Sequence, residues 1–452
     1  MKKILGCTAL VTALLLASPQ ARAETTDAAL DALKKQLQEM QEQMQQMQRK
    51  IEALEAQKTA VPATTTVPTA PAAAWSPSQP ITLARSGANY LNMSFDTLVN
   101  FGWSSKADVS QLQLGDHDPS QRGFSLRNAE ISLDGAVDPY FKAFGNIVLK
   151  LDNHNETEIE LEEAYVLSTS LPANLQVKAG QFFAEFGRQN ATHPHTWAFV
   201  DEPLVMGRLL GGDGLRNVGA RLSWLAPTPF YTEFLLGVFN GGGGTTFSFR
   251  DPDNTYGRTP VDRGLRGPQD LLFVPRLTSS FDLNDTQTLV LGASAAFGPN
   301  DSGTNTHTQI YGVDTYWKWR PLNAEQGFPF VSWQTEAMLR RYDAGADAVA
   351  GLPSEELRDY GFYTQVLYGF HLGWIAGLRG EFVTGNAGAN DVNDPLARGD
   401  RLRFSPNLTW FPTEFSKLRL QYNFDHGQAF GDAHAIWLQM EFMIGAHGAH
   451  KF

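Results

Sequence analysis

Cysteine is almost missing from this chain of 452 residues: Cys7 is the only one. That excludes a disulfide framework and a cysteine-ligated metal. Long hydrophobic runs are missing too. The longest apolar stretch, Ile4 to Ala17, is too short to cross a bilayer as a helix, and the mean hydropathy is −0.27. A helical membrane bundle is therefore excluded. Basic charge is in deficit, with 36 Lys and Arg against 48 Asp and Glu and a formal net charge of −12, so no basic surface stands ready for nucleic acid. Catalytic signatures are equally scarce. There is no G-x-S-x-G, H-E-x-x-H or phosphate loop, and Gly211-Gly212-Asp213-Gly214 and Gly241 to Gly244 read as loop glycines. Neither an enzyme activity nor a cofactor is expected. What the chain has in quantity is glycine, at 41, and aromatics, with 29 Phe, 12 Tyr and 10 Trp. In an acidic chain that is 42% hydrophobic, this mixture suits amphipathic strands rather than a packed α/β core.

The first residues read as processing information. Lys2 and Lys3, the apolar stretch and Ala21-Arg22-Ala23 form an export signal over residues 1–23. Its cleavage removes Cys7 and three positive charges (Lys2, Lys3, Arg22), taking the formal charge from −12 to −15. Ile4-Leu5-Gly6-Cys7 has the look of an acylation box but precedes the apolar stretch, so no lipid anchor is expected. Leu30, Leu37, Met44 and Ile51 then alternate with Leu33, Met40, Met47 and Leu54 at spacings of three and four. A lone helix cannot bury such a seam, so residues 24–58 read as a coiled coil, with a helix lying on the rest of the chain as the alternative. Residues 59–80, rich in Pro, Thr, Ala and Ser, read as a semi-extended linker.

From residue 81 to 452 the period changes to two. Phe141, Ala143, Gly145, Ile147, Leu149 and Leu151 alternate with Lys142, Phe144, Asn146, Val148, Lys150 and Asp152. Leu418, Leu420, Tyr422 and Phe424 alternate with Arg419, Gln421, Asn423 and Asp425, and Leu372, Trp374, Ala376, Leu378 and Phe382 stand against Arg379 and Glu381. These segments run about 10 to 14 residues, and no helices remain to cover their apolar faces. A closed barrel with lipid outside and water inside satisfies both faces and every backbone group. The expected fold is therefore an all-β transmembrane protein: an antiparallel outer-membrane barrel of about sixteen strands preceded by a short helical coiled coil.

The connections alternate in length. Short turns are expected at Asp138-Pro139, Leu171 to Asn174, Ala226 to Pro229, Leu283 to Asp285, Pro321 to Gly327, Gly369 to His371 and Phe411 to Glu414. Between them come Gly- and Asp-rich loops such as Gln189 to Arg216, Gly241 to Asp270, Ala344 to Leu357 and Asn386 to Asp400. An even strand count puts both barrel ends on the periplasmic side. Trp224, Trp317, Trp319, Trp374 and Trp410 fall toward strand ends, where an interfacial girdle belongs. The last strand is expected from about Asp432 to Ala446, and Phe452 closes an apolar alternation that resembles a barrel-assembly signal.

Leu161-Glu162-Glu163-Ala164-Tyr165-Val166 and the stretch from Asn174 to Phe186 resemble a strand pair of the phosphate-selective porin O and P family. The resemblance implies a sixteen-stranded homotrimeric barrel with its N-terminal coiled coil in the periplasm. Where that family usually carries a Lys and a Pro, this chain has Gly180-Gln181-Phe182-Phe183-Ala184-Glu185-Phe186, and no phosphate-binding residue is carried over.

Selection of a solute would fall to inward side chains. The candidates for the pore lining are Arg379, Arg403 and Arg419 on strands thirteen to fifteen of the ring, Lys142, Lys150 and Lys178, and Glu130, Glu160 and Glu162 on strands two and four. The alternative is that these charges only solvate a wet wall and pair locally. The loop from Gln189 to Arg216 carries much apolar material, so it is expected to fold into the barrel. There Glu185, Asp201, Glu202 and Arg208 become constriction candidates, the three acids facing the arginine wall. His193-Pro194-His195 and His447-x-x-His450 have metal-compatible spacings but read by default as solvated histidines, so no metal is expected. Asp251-Pro252-Asp253 and Asn390 to Asp394 are candidates for bridging cations at a lipopolysaccharide surface.

Besides an outer-membrane hydrolase, for which no catalytic constellation is specific, three functions compete. Passive diffusion of small hydrophilic solutes or ions needs only a barrel with a wet lumen. A metal or nutrient receptor or transporter needs a plug domain of roughly a hundred residues, for which Glu24 to Pro80 is too short. A structural barrel without an open pore is the third. The expected partners are outer-membrane lipid and lipopolysaccharide, with no nucleic acid.

Overall fold

The computed structural model describes residues 79–262 and 264–445. The export signal, the heptad segment, linker residues 59–78, His447, His450 and the terminal Phe452 lie outside the described residues.

Alternation writes seventeen strands into the described residues: β1 (Ile81–Ser86), β2 (Asn89–Ser104), β3 (Gly123–Ala136), β4 (Phe141–Leu151), β5 (Thr157–Ser168), β6 (Leu175–Phe183), β7 (Arg216–Leu225), β8 (Tyr231–Phe239), β9 (Leu272–Asn284), β10 (Gln287–Pro299), β11 (His307–Trp319), β12 (Phe330–Ala344), β13 (Glu355–His371), β14 (Trp374–Gly385), β15 (Arg401–Thr413), β16 (Ser416–Gly427) and β17 (Gly431–Ile444). From β2 onward each strand pairs antiparallel with its successor, and β17 returns to β2. Sixteen strands thus close a ring with no free edge. The extra strand β1 has a local reason. β17 covers one edge of β2 only from Phe95 to Ser104, and β1 pairs with the remainder, Asn89 to Met93, through a hairpin.

The faces are inverted relative to a water-soluble sandwich. On β17, Ile436, Leu438, Met440 and Phe442 are exposed, while Ala435, Gln439 and Glu441 are buried. On β16, Leu420 and Tyr422 point out, while Gln421, Asn423 and Asp425 are buried. An exposed apolar outer face and a polar inner face are the arrangement that lipid outside demands. Trp374 stacks on its cross-strand partner Trp410 with ring centroids 5.7 Å apart, and Trp224 stacks on Phe234 at 5.6 Å. All five girdle tryptophans lie at the end of the ring that bears the short turns.

Turns 137–140, 169–174, 226–230 and 320–329 fall where expected, while those expected at Leu283 to Asp285 and Phe411 to Glu414 tighten to 285–286 and 414–415 because β9 runs to Asn284 and β15 to Thr413. The turn expected at Gly369 to His371 lies at 372–373 instead, because β13 continues to His371 and pairs with Trp374. The opposite end carries segments 105–122, 184–215, 240–271 and 386–400 among its connections. The first of these has no forecast in the sequence reading.

Candidate functional site: the loop-filled lumen

The inner face is not uniformly polar. Segment 184–215 folds into the barrel and brings helix α1 (Leu204–Leu210) with it. Leu204, Val205, Met206, Leu209 and Leu210 pack with Phe182, Phe186, Phe239 and Phe249. They also reach the inward strand residues Val274, Ile310, Met338 and Val383. Inward apolar positions therefore gather where the helix docks, and its burial stabilises the inserted loop at roughly 1.5–3 kcal/mol per large side chain.

Polar anchors set the loop's path. Gly187 takes a left-handed φ of 61° as the chain leaves the wall, and a Cβ there would collide with the Glu336 carboxylate. That carboxylate accepts hydrogen bonds from the Arg188 and Gln189 backbone N–H groups at 3.0 and 2.8 Å. Asn190 ties the loop's two ends together, donating to the Ala184 and Leu215 carbonyls at 2.7 and 2.9 Å and accepting from the Leu215 N–H at 2.8 Å. Glu381 accepts from the Leu204 N–H at 2.6 Å, meeting an unpaired donor at the start of α1.

The candidate arginines are all present on three consecutive strands, and all are covered. Arg379 and Arg403 both bind Asp201: Arg403 at 3.1 Å, and Arg379 through the carboxylate and, at 2.9 Å, the Asp201 carbonyl. Arg419 donates to the Trp197 carbonyl at 2.8 Å and Lys417 to the His195 carbonyl at 2.7 Å. Arg379, Arg403 and Arg419 are 2%, 1% and 3% exposed. The expected wall of free arginines is thus a docking surface for the loop, because Asp201 sits directly on it rather than across an opening. Burial alone would raise the Asp201 carboxyl, but Arg403 and Arg379 outweigh it and hold the group at about 2.

The other acids expected opposite that wall go elsewhere. Glu185 binds Lys178 at 2.8 Å and Arg221 at 3.2 Å. Glu202 is buried beside Asp118 of segment 105–122, whose carboxylate accepts from the Glu202 N–H at 2.8 Å. Burial, then the Asp118 charge, pushes the Glu202 carboxyl well above its ordinary value, and burial and Asp201 push Asp118 up to about 8. Arg208 lies buried on α1 and donates to the Gly399 carbonyl at 2.8 Å. The candidates on the opposite arc hold loops as well. Lys150 pairs with Asp116 and, at 3.1 Å, with Glu160, while Glu160 also pairs with Arg216. Only Lys142, at the short-turn end of β4, is exposed among the expected pore-lining residues.

His193 and His195, expected as solvated loop histidines, are buried among carboxylates. His193 lies 2.8 Å from Glu162 and 3.0 Å from Glu163, and His195 lies 3.0 Å from Glu130. Asp251, expected at the surface, is likewise buried, whereas Asp253 is exposed. Two contributors escape the sequence reading: segment 105–122, which supplies Asp116, His117 and Asp118, and segment 240–271. The latter reaches α1 through a 2.6 Å hydrogen bond from Ser248 to the Leu209 carbonyl.

Less covered inward groups lie along β9, β11 and the loop's exit. Arg188 is half-buried, with its guanidinium 4.1 Å from the Tyr316 ring, and Lys318 is exposed. Thr278, Ser280 and Arg276 are half-buried, Arg276 being held by Asp314 at 2.6 Å. Two cavities open near the short-turn end. One of about 460 Å³ is lined by Asp282, Thr288, Lys318 and Arg320, and one of about 370 Å³ by Trp197, Leu367, Ile375, Phe411 and Lys417.

No family model matches the chain. The solved outer membrane channel DcaP of Acinetobacter baumannii is similar over 80% of this chain and 99% of its own, with a TM-score of 0.53 at 11% identity. An anion-selective porin from Comamonas acidovorans is similar over 79% and 100%, with a TM-score of 0.51 at 9% identity. These likenesses show the fold, a porin-type closed barrel of sixteen strands. In sequence, an "Uncharacterized protein" of Aquifex aeolicus (strain VF5) is 32% identical over 353 residues, 74% of this chain and 71% of that one. This chain belongs to one family with that Aquifex aeolicus protein.

Proposed function

We propose that the protein is an outer-membrane porin that passes small hydrophilic solutes or ions by passive diffusion past a loop fixed inside its barrel. The observation that carries this reading is the division of the inner wall. One arc, from β12 to β16, binds the inserted loop through Glu336, Arg379, Arg403 and Arg419. Another, from β9 to β11, presents half-buried or exposed polar groups such as Thr278, Ser280, Tyr316 and Lys318. The exposed apolar outer face supports a lipid setting, and the export signal supports delivery across the inner membrane. Single-channel recording of the purified protein in planar bilayers tests the proposal: unitary steps that scale with salt concentration are expected. A second reading, a barrel without an open pore, is favoured by the apolar packing inside the ring, and a complete absence of unitary steps selects it.

We extend the proposal to a homotrimer with residues 24–58 as a periplasmic coiled coil and the barrel facing lipid and lipopolysaccharide. The heptad seam supports association, and the trimer number follows from the resemblance to the phosphate-selective porin O and P family. A monomeric mass in mild detergent by light scattering would refute it.

A further inference from the structure

Asp96 on β2 and Glu130 on β3 are cross-strand partners in the β2–β3 ladder, and both are 1% exposed. Like charges directly opposite on neighbouring strands repel. The next ladder adds a third carboxylate. Glu441 of β17 sits two positions from Met443, the partner of Asp96 on that side. Among the described residues the cations beside these acids are committed: Lys417 pairs with Glu441 and donates to the His195 carbonyl at 2.7 Å, and Arg419, which also faces Glu441, donates to the Trp197 carbonyl at 2.8 Å.

Glu130 is well provided for. It accepts from the Asn128 side chain at 2.8 Å and lies 3.0 Å from His195. Asp96 is not: among the described residues neither of its carboxylate oxygens has a hydrogen-bond partner. A buried carboxylate without hydrogen bonds is costly, and such groups in native proteins are paired or bind a cation. The side chain nevertheless converges with others, since Asp96, Glu130 and His195 each bring one donor atom to within 4.8 Å of the other two.

We propose that Asp96, Glu130 and His195 form a binding site for a divalent first-row transition ion of the zinc class. One imidazole and two carboxylates are a ligand set that such ions accept, with metal–ligand bonds of about 2.0–2.2 Å and a further position left for water. The imidazole disfavours Ca²⁺ and Mg²⁺, which take oxygen donors. The ion supplies the positive charge that the three acids lack and ties the inserted loop, through His195, to the β2–β3 wall. The neighbouring group of Glu162 and His193 makes a useful contrast. There Glu162 Oε2 accepts from Asn146 at 2.7 Å and meets the imidazole at 2.8 Å, so that oxygen is paired within the protein, whereas among the described residues neither oxygen of Asp96 has a hydrogen bond.

The test uses the full-length protein in detergent, stripped with EDTA and titrated with Zn²⁺ by calorimetry and with Co²⁺ by visible absorption. The wild type should bind one ion per chain that Asp96→Asn weakens by about tenfold or more, and His195→Gln by a similar factor. Glu162→Gln should leave that ion in place. Asp96→Asn removes a repelled charge without changing shape, and heat-modifiable migration on gels reports that the variants are folded. Should a variant not fold, the wild type alone decides: Zn²⁺ should raise its unfolding temperature and EDTA reverse the rise. No stoichiometric ion in the wild type, no thermal shift, or equal binding by folded Asp96→Asn and His195→Gln would overturn the site.

Discussion

Asp201 and Arg403 meet at 3.1 Å inside the barrel although 202 residues separate them along the chain. Arg379 binds the same carboxylate, Gln421 donates to it at 2.9 Å, and Asn423 adds another donor at 2.5 Å. One loop acid thus gathers side chains from β14, β15 and β16. Breaking a buried ion pair from one side is costlier than never having formed it, because the partner's charge stays buried.

Asp201→Ala should therefore loosen the loop more than any other single change in it. Arg379 and Arg403 would keep only the carboxylates of Glu381 and Asp425, each at 2.8 Å, and lose the one they share, at a cost of roughly 1.5–3 kcal/mol for each charge-assisted bond lost. The expected outcome is a lower unfolding temperature together with larger, noisier unitary currents, recorded in planar bilayers. A variant with wild-type stability and wild-type current steps would show that the loop does not depend on this contact.

The same acid predicts a pH dependence. A free aspartate titrates near 3.9, whereas Asp201 in the folded protein titrates at about 2. A depressed folded value means that the unfolded state takes up the proton first. The stabilisation is therefore complete above about pH 4 and is lost as pH falls through about 2. Current noise should stay flat from pH 7 to about pH 4 and rise below about pH 3. Noise that begins near pH 5 would point to another group.

Glu202 predicts the opposite slope. Burial and the nearby Asp118 raise its carboxyl, so above the ordinary glutamate value, near 4.3, the folded state holds a proton that the unfolded state has released. Stability then declines as pH rises. Glu202→Gln keeps the shape and removes this proton uptake. Thermal unfolding should show the variant more stable than the parent, by a margin that is larger at pH 8 than at pH 5.

Much of this architecture is legible in the sequence because period two and loop length are local properties. The alternation around Arg379, Arg403 and Arg419 is enough to put all three on the inner face of consecutive strands. Apolar bulk in the loop is enough to place it inside the ring, and Asp201 does meet the arginines. The contact partners are a different matter. That Glu202 turns to Asp118, or His193 to Glu162 and Glu163, depends on groups brought together by closure of the whole ring, and no local spacing encodes it. One signal lies in plain view: Met338 stands at an inward position between Glu336 and Arg340 and contributes to the apolar patch on which α1 docks. Segment 105–122 carries no comparable mark, since its polar residues look like any surface loop.

Selectivity follows from which cations remain uncovered. Charges buried under the loop and paired with carboxylates present little field to a passing ion, and exposed charges act within about 10 Å at 0.1 M salt. Arg379 and Arg403 belong to the first kind and Arg419 is buried on the neutral acceptors of Thr409, Gln439 and Trp197, while half-buried Arg188 and exposed Lys318 are the less covered cations. The chain carries excess negative charge, and carboxylates at the loop end enrich cations at the mouth. Weak overall selectivity is the expected balance. Arg188→Ala with Lys318→Ala should move the reversal potential in a KCl gradient toward cations while leaving the current noise near that of the parent. The triple change Arg379→Ala, Arg403→Ala, Arg419→Ala should also move it toward cations, but with a rise in conductance and noise, because it undocks the loop as well as removing charge. An unchanged reversal potential in the Arg188→Ala, Lys318→Ala variant would mean that ions do not travel along β9 to β11. A shift in the triple variant without any rise in conductance or noise would mean that the arginines line the path directly.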